Sequence, residues 1–206
     1  GHEFMSTSLH RNTPTLKAMD PRGLAVRAVH YHRESVTQAP QARVTRQVFG
    51  ANGLLLSQWD PRQFARGAAG VASESTIYSL SGEPVRTESA DAGWRLLIHG
   101  EAGQLLHRWD SRLAHHERRY DRLLRPVAVF EQAANEPRPR CVERLTYAAA
   151  EPAEAAGNRC GRLIRHADPA GVLSMDEYGI DGSVTQQTRR FRLETSAVDW
   201  PSSDDQ

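Results

Sequence analysis

Short runs of alternating apolar and polar residues, separated by turn-forming residues, make up most of this chain. Residues 24–31 and 42–49 alternate in this way, residues 94–99 form a largely apolar run, and residues 141–147 are a further predicted strand. A period of two is typical of β-strands, and closely spaced turn residues are typical of antiparallel sheets. The pattern therefore predicts an all-β fold, mainly antiparallel, with little helix.

One ten-residue segment occurs three times, at residues 53–62, 103–112 and 161–170. Each copy opens with a glycine, continues with apolar residues and reaches an aspartate. The opening glycine and the aspartate are Gly53 and Asp60 in the first copy, Gly103 and Asp110 in the second, and Gly161 and Asp168 in the third. Glycine tolerates the positive φ of a tight turn, and aspartate starts turns by binding nearby backbone N–H groups. Each copy therefore predicts turn, strand and turn, and such units must stack side by side to bury their apolar faces.

Three stretches fit this scheme less directly. Residues 111–129 carry apolar side chains at a spacing that allows a helix, although Asp121, Pro126 and the likeness to the repeat favour strands. Residues 63–75 are predicted as a loop of small residues. Residues 148–157 form an alanine-rich connection with room for one helical turn.

The turn pattern predicts one repeat domain over residues 5–195, followed by a polar tail at 196–206. Residues 1–4 resemble a cloning remnant placed before Met5. The opening residues carry no signal-peptide pattern, and no apolar run has the length of a membrane span. We therefore expect no membrane contact by this segment.

Charge and cysteine content narrow the classes of function. Net charge is +1, so the overall composition does not indicate nucleic-acid binding. Lys17 is the only lysine among 26 basic residues, a bias typical of a GC-rich genome, although arginine also suits ion pairs between strands. Cys141 and Cys160 form no C-x-x-C motif, which leaves a single disulfide open and favours two buried free thiols.

Candidate catalytic and metal-binding residues are few. His30 and His32 share one face of a predicted strand, as in some metal sites, but they lack a third ligand, so two solvent-facing histidines are favoured. The aspartates at positions 20, 60, 110, 121 and 168 all occupy turn-starting places, which favours a structural role over acid–base chemistry. The sequence contains no G-x-S-x-G, P-loop or H-E-x-x-H motif. We therefore predict no catalytic residue, no cofactor and no metal site.

Two tryptophans, Trp59 and Trp109, hold the same place in the repeat, directly before the aspartate. Such side chains can stack on sugars or bases, but equivalent aromatic residues in stacked repeats more often form a ladder along the sheet. The ladder is the favoured interpretation, and a ligand platform is the alternative.

Several motifs resemble one family of bacterial proteins. They are SLHRNTPT at residues 8–15, DPRGLAVR at 20–27, YHR at 31–33, WDPR at 59–62, SADAG at 89–93 and WDSR at 109–112. Further matches are Tyr120-Asp121, LRP at 124–126, Tyr147-Ala148, Gly161 and DPAG at 168–171. Together they resemble the amino-terminal region of the TccC-like C components of insecticidal toxin complexes, and the Tyr120-Asp121 pair is the signature of RHS or YD repeats.

The resemblance implies β-hairpins stacked into a curved or spiralling sheet that forms part of a hollow shell. In this family the B and C components together enclose the toxic carboxy-terminal part of C, and a pore-forming A component delivers it. The self-cleavage site and the effector lie further along the C component, so no catalytic residue is carried over. The implied partners are the B component and the rest of the shell, with homo-oligomers through exposed strand edges as a further expectation.

The favoured function is therefore a non-catalytic shell segment, made in the bacterial cytoplasm and exported as part of a toxin complex. A stand-alone protein- or carbohydrate-binding module that uses the shared tryptophans is the alternative. A hydrolase that combines turn aspartates with His30 and His32 is the weakest interpretation.

Overall fold

The computed structural model describes residues 9–201. The predicted cloning remnant at 1–4 and the last five residues of the predicted tail, 202–206, lie outside the described residues. Fourteen strands account for most of the described chain. They are β1 Thr15–Met19, β2 Ala25–His32, β3 Gln41–Phe49, β4 Leu55–Trp59, β5 Glu74–Tyr78, β6 Pro84–Ser89, β7 Gly93–His99, β8 Leu105–Asp110, β9 His115–Tyr120, β10 Pro126–Gln132, β11 Arg140–Tyr147, β12 Leu163–Asp168, β13 Gly171–Tyr178 and β14 Val184–Phe191.

The chain divides into two compact units, Gly1–Leu96 and Leu97–Gln206. In the first unit, each strand from β1 to β6 pairs antiparallel with the next strand along the chain. In the second unit, β8 to β14 pair in the same sequential way. The predicted antiparallel all-β class is confirmed. A single repeat domain over 5–195 and a curved or spiralling sheet stay predictions.

One turn geometry recurs at seven hairpins, which begin at Asp20, Gly50, Ser79, Gly100, Asp110, Asp121 and Gly179. In each turn the backbone N–H of the fourth residue donates to the carbonyl of the first, and the N–H of the first donates to the carbonyl of the fifth. The fourth residue has positive φ in all seven turns, and it is glycine in five of them. Leu113 (φ 61°) and Leu124 (φ 59°) occupy that place in the other two.

Replacing Leu124 by glycine is expected to raise the free energy of unfolding by about 1 kcal/mol. A left-handed conformation costs a residue with a Cβ about 1–2 kcal/mol, and glycine avoids that cost. The leucine is 50% exposed, so its removal gives up little burial. Urea unfolding followed by circular dichroism measures the change. The matched control is Leu123→Gly, because Leu123 is 72% exposed in the same turn without positive φ; equal effects of the two substitutions would contradict the explanation.

Helix is confined to short pieces in the described residues. The alternative helix at 111–129 is wrong, because β9 and β10 occupy that stretch. The predicted loop at 63–75 is also partly wrong: α1, Pro61–Ala65, precedes a 3-10 turn at Gly67–Ala69. α2, Pro152–Ala155, is the helical turn for which the alanine-rich connection had room. Within residues 9–201 there is no helix of the length and apolarity needed to cross a membrane.

Burial of apolar side chains is unequal between the units. The fully buried ones lie in the second unit and include Ala128, Cys141, Ala167, Met175 and Tyr178. Among the described residues of the first unit, no apolar side chain is fully buried, although its strands carry valines, leucines and tryptophans. A sheet whose apolar residues stay half exposed is typical of a surface that another layer or partner covers.

Residues 198–200 of the predicted polar tail have no regular secondary structure, but they contact the start of β11. Val198 is 7% exposed, and the N–H of Trp200 donates to the carbonyl oxygen of Cys141 over 2.8 Å. Asp199 accepts a hydrogen bond from the N–H of Cys141 and pairs with Arg138. These residues therefore cover the start of β11. The sequence gives no local sign of this docking, because Cys141 and Asp199 lie 58 positions apart along the chain.

Candidate functional site: the repeat turns and the open strand edges

The turn aspartates bind the backbone of their own turns. Asp20, Asp110 and Asp121 each accept hydrogen bonds from the N–H groups two and four residues later, over 2.9 to 3.2 Å. Asp168 accepts from Ala170 and Gly171 in the two-residue turn between β12 and β13. In all four aspartates the acceptor is the Oδ1 atom, and these contacts fix the turn, as the Asx-turn chemistry of aspartate requires.

Asp60 has a different partner. It is the N-cap of α1, where its carboxylate accepts from the N–H of Gln63 over 2.8 Å and Pro61 takes the first helical position. The Asp-Pro pair was therefore a helix-start signal that the sequence analysis interpreted as a turn. The bond from Gln63 and the guanidinium of Arg62 lower the pKa of Asp60.

Local hydrogen bonds also lower the pKa of Asp20 and of Asp121. The N–H of Leu24 is the main cause at Asp20. Burial works to raise the pKa of Asp121, but hydrogen bonds from the backbone and guanidinium of Arg125 outweigh it and lower the pKa. Carboxylates held in the charged form by their own turns are poor general acids near neutral pH.

Replacing Asp168 by asparagine is expected to lower the free energy of unfolding at pH 7 by about 2 kcal/mol, because a charged partner of Arg189 is lost. The Arg189 Nη2 lies 2.6 Å from Asp168 Oδ1, and both side chains are mostly buried. Burial works to raise the pKa of Asp168, but Arg189 and the turn N–H groups lower it below the usual 3.8. The stabilisation is therefore present above about pH 3.8 and is lost as the pH falls through the folded-state pKa.

Urea titrations of both forms at pH 7 and pH 3 check this expectation. The difference between the proteins should shrink at the lower pH. The control is Asp91→Asn, which breaks the exposed Arg62–Asp91 pair and should change stability by less than about 1 kcal/mol. A difference for Asp168→Asn that does not change with pH would contradict the role of its charge.

The glycines that open the three repeat copies all have positive φ, at 81° for Gly53, 78° for Gly103 and 69° for Gly161. Each lies in the turn that leads into the strand of its copy, β4, β8 and β12 respectively. The sequence therefore predicts the left-handed backbone conformation at these three glycines. It does not predict the same conformation at Leu113 and Leu124, because leucine rarely adopts it.

The two repeat tryptophans pack on polar partners within their own units. Trp59 pairs across the strands with Arg46, whose guanidinium carbon lies 5.1 Å from the ring centroid. Trp109 stacks on His115 at a centroid distance of 4.5 Å and an interplanar angle of 9°. Each ring thus packs against a side chain of the adjacent strand, β3 for Trp59 and β9 for Trp109. The ladder joining equivalent tryptophans stays a prediction.

A repeated tyrosine contact is the feature that the sequence analysis missed. Four tyrosines that end a strand donate their hydroxyl to the carbonyl at or near the start of the preceding strand. The pairs are Tyr78 with Leu55, Tyr120 with Leu105, Tyr147 with Pro126 and Tyr178 with Leu163. We call these contacts the tyrosine clasps. Tyr120 and Tyr147 stand in the motifs that resemble the toxin family, but nothing in those motifs indicates this contact.

Each clasp closes the end of a strand pair that is opposite its connecting loop, where the strands would otherwise separate. In two of them an arginine covers the ring: the Cζ of Arg125 lies 4.2 Å from the centroid of Tyr147, and that of Arg162 lies 5.0 Å from Tyr178. A usable sequence signal exists, because every clasp tyrosine directly precedes a turn or connection. The distant carbonyl partner has no such local signal.

The candidate histidine pair and the two cysteines take part in no group of three or more metal-ligating side chains among the described residues. His30 and His32 are both exposed on β2, and His30 lies 3.3 Å from the hydroxyl of Thr15. Cys141 and Cys160 are unpaired; Cys141 is buried and Cys160 is exposed. The expectation of two buried thiols is therefore wrong for Cys160, because it lies on the connection before β12 rather than in a strand.

Two strands leave one edge unpaired in the described chain. Every residue of β1 is exposed and its partner is β2, whereas β14 pairs with β13 and has seven exposed residues of eight. Leu16, Met19 and Phe191 are among the exposed apolar side chains on these strands. Open edges offer rows of N–H and C=O groups to a further strand.

Comparison with curated proteins finds two related toxin subunits of Yersinia entomophaga. The chain is 24% identical to YenC1 over 205 residues and 26% identical to YenC2 over 221 residues. Both matches cover 97% of this chain, which spans about a fifth of each relative, 21% and 22%. No protein-family model matches the chain.

Solved structures of toxin complexes also match. The TcdB2–TccC3 complex matches at a TM-score of 0.88 and 30% identity over 96% of this chain. The Tc holotoxin pore of Photorhabdus luminescens matches at 0.91 and 29% over 98%. TcdB2–TccC3 without its hypervariable C-terminal region matches at 0.90 and 28% over 98%. In each case this chain covers 10% of the solved chain. The resemblance to TccC-like proteins is therefore confirmed.

Proposed function

We propose that this chain, a homologue of the toxin subunits YenC1 and YenC2, forms part of the wall of an RHS-repeat shell in a toxin-complex C component. The observation that carries the proposal is the match over 98% of the chain to TccC3 without its hypervariable C-terminal region. The matched part of TccC3 therefore lies outside that region. The effector in such proteins is expected in the variable region, so the role proposed for this chain is structural.

The side-chain contacts support a structural role. The turn aspartates are used by their own turns, by a helix cap or by Arg189, and each repeat tryptophan packs on a cross-strand neighbour. A hydrolase built from turn carboxylates would need them free to exchange protons with a substrate. A carbohydrate-binding module would need the tryptophan rings open on one face, and nothing observed at Trp59 or Trp109 favours that alternative.

The partners we propose are the B component and the remainder of the shell, joined through strand edges. β1 and β14 each have an unpaired edge, and the first unit has half-exposed apolar residues that a neighbouring layer would bury. The same edges would allow homo-oligomers at high concentration. Synthesis in the cytoplasm and release as part of a complex complete the proposal.

Co-elution with a B component tests this role. The purified chain is mixed with TcdB2, and the mixture is analysed by size-exclusion chromatography with light scattering. We expect a complex that is weakened at least tenfold by Leu16→Lys or by Phe191→Lys, since lysine on an edge strand opposes strand addition. The control is Leu56→Lys, at a side chain 38% exposed on the inner strand β4.

The outcomes separate clearly. A complex that is unaffected by both edge variants, or that is weakened equally by Leu56→Lys, would contradict assembly through the strand edges. Absence of any complex, with this chain folded by circular dichroism, would contradict the B component as its partner. Self-association abolished by the edge variants would support the homo-oligomer.

A further inference from the structure

Two histidines meet across the β8–β9 hairpin. The Nδ1 atom of His107 lies 3.1 Å from the Nε2 atom of His115, and the ring centroids are 5.3 Å apart. Trp109 stacks on His115 at 4.5 Å, and His107 lies 5.5 Å from the Trp109 ring. The strand register explains the meeting, because His115 is opposite Trp109 and His107 is two residues before it on the same face. The described chain has no other histidine pair with this contact.

This separation suits two ligands of one metal ion. Imidazole nitrogens lie about 2.0–2.1 Å from Zn²⁺, so two of them bound side by side are about 3 Å apart. We propose that His107 and His115 form a two-imidazole clamp for a divalent transition-metal ion. Late first-row ions suit imidazole ligands best, and Cu²⁺ binds more tightly than Zn²⁺ in general. The proposal is independent of the shell function.

The neighbouring side chains determine how many protein ligands the metal ion would have. Glu117 is directly opposite His107, but its Oε1 atom lies 2.7 Å from the Nε of Arg119. Within residues 9–201, no three His, Cys, Asp or Glu side chains converge closely enough to hold a metal ion. The clamp therefore has two protein ligands, with its other positions left to water, and we expect micromolar rather than tighter binding.

A bound ion would join β8 to β9 beside the turn that begins at Asp110. This is the hairpin whose turn holds Leu113 in a left-handed conformation. The metal would therefore cross-link β8 and β9 near the turn that holds Leu113 in its left-handed conformation. Trp109, stacked on one of the two ligands, provides an optical probe at the site.

Isothermal titration of the purified chain with ZnCl₂, and separately with CuCl₂, tests the proposal. We expect one ion per chain, with tryptophan fluorescence quenched by Cu²⁺ and the quenching strongly reduced in Trp109→Phe. Affinity should fall at least tenfold in His107→Gln and in His115→Gln. The matched control is the double substitution of His30 and His32 by glutamine, which removes the exposed pair on β2 and should leave affinity unchanged.

A separate readout keeps the test decisive if a clamp variant folds poorly. Electron paramagnetic resonance of the Cu²⁺-loaded unmodified chain should show coupling to two nitrogen ligands. Absence of binding, binding lost in the His30 and His32 control, or a spectrum without nitrogen coupling would each overturn the proposal. In those cases the His107–His115 contact is a hydrogen bond within the sheet.

Discussion

Replacing Gly171 by alanine is expected to lower the free energy of unfolding of the second unit by about 4 kcal/mol. Gly171 begins β13 with φ at +140°, and a Cβ built there would lie 2.1 Å from the carbonyl oxygen of Arg190 and 2.9 Å from the Cα of Phe191. The backbone conformation costs an alanine about 1–3 kcal/mol, and overpacking adds a similar amount. The backbone of β14 must therefore move away or the turn must change. Urea unfolding followed by circular dichroism measures the loss.

The matched control is Gly103→Ala. Gly103 also has positive φ, at +78°, but a Cβ there would meet nothing within 4 Å. Its replacement should cost about 1 kcal/mol, from backbone conformation. Comparable losses for the two alanine variants would show that the close approach of β14 is not what requires a glycine at position 171.

The two glycines differ in whether their structural requirement can be predicted from the sequence. Gly103 was predicted as a turn glycine because the turn is defined by four neighbouring residues, and local chemistry determines it. Gly171 directly follows the third repeat copy, but its requirement comes from the backbone of β14, about twenty residues later. Strand pairing over that distance cannot be derived from local preference, since it depends on register.

The same distinction holds for the side chains at the candidate site. The turn roles of Asp20, Asp110, Asp121 and Asp168 follow from residues within four positions. The docking of Asp199 on Cys141 joins residues 58 positions apart, and no nearby residue announces it. Leu124 could not be predicted for another reason. The hydrogen bonds of its turn form even though a leucine at the left-handed position is unfavourable.

The resemblance to TccC-like proteins supplied what the pattern could not. Alternation and turn residues predict a sheet of stacked hairpins, but they do not distinguish a complete domain from one segment of a larger wall. Two structural features bear on this question: the exposed edge strands β1 and β14, and the half-buried apolar residues of the first unit. A sheet with unpaired edges and uncovered apolar residues favours assembly.

Replacing Tyr178 by alanine is expected to lower the free energy of unfolding by about 4 kcal/mol, the second large effect. The side chain is 7% exposed, its hydroxyl binds the carbonyl of Leu163, and Arg162 covers its ring. Alanine removes a buried aromatic ring, leaves a cavity and exposes the carbonyl of Leu163 without its partner. Urea unfolding, with tryptophan fluorescence as a second probe, checks the size of the loss.

Two further variants separate the ring from its hydroxyl and burial from the clasp. Tyr178→Phe keeps the ring and should cost about 1 kcal/mol, the net value of one hydrogen bond. Tyr120→Ala removes an equivalent clasp, with a 2.9 Å bond to Leu105, from a less buried position, so it should cost about half as much as Tyr178→Ala. If Tyr178→Phe were as damaging as Tyr178→Ala, the hydroxyl would determine the stability of the clasp. If Tyr120→Ala had no effect, the clasp would depend on burial at Tyr178, and its repetition along the chain would carry no stability of its own.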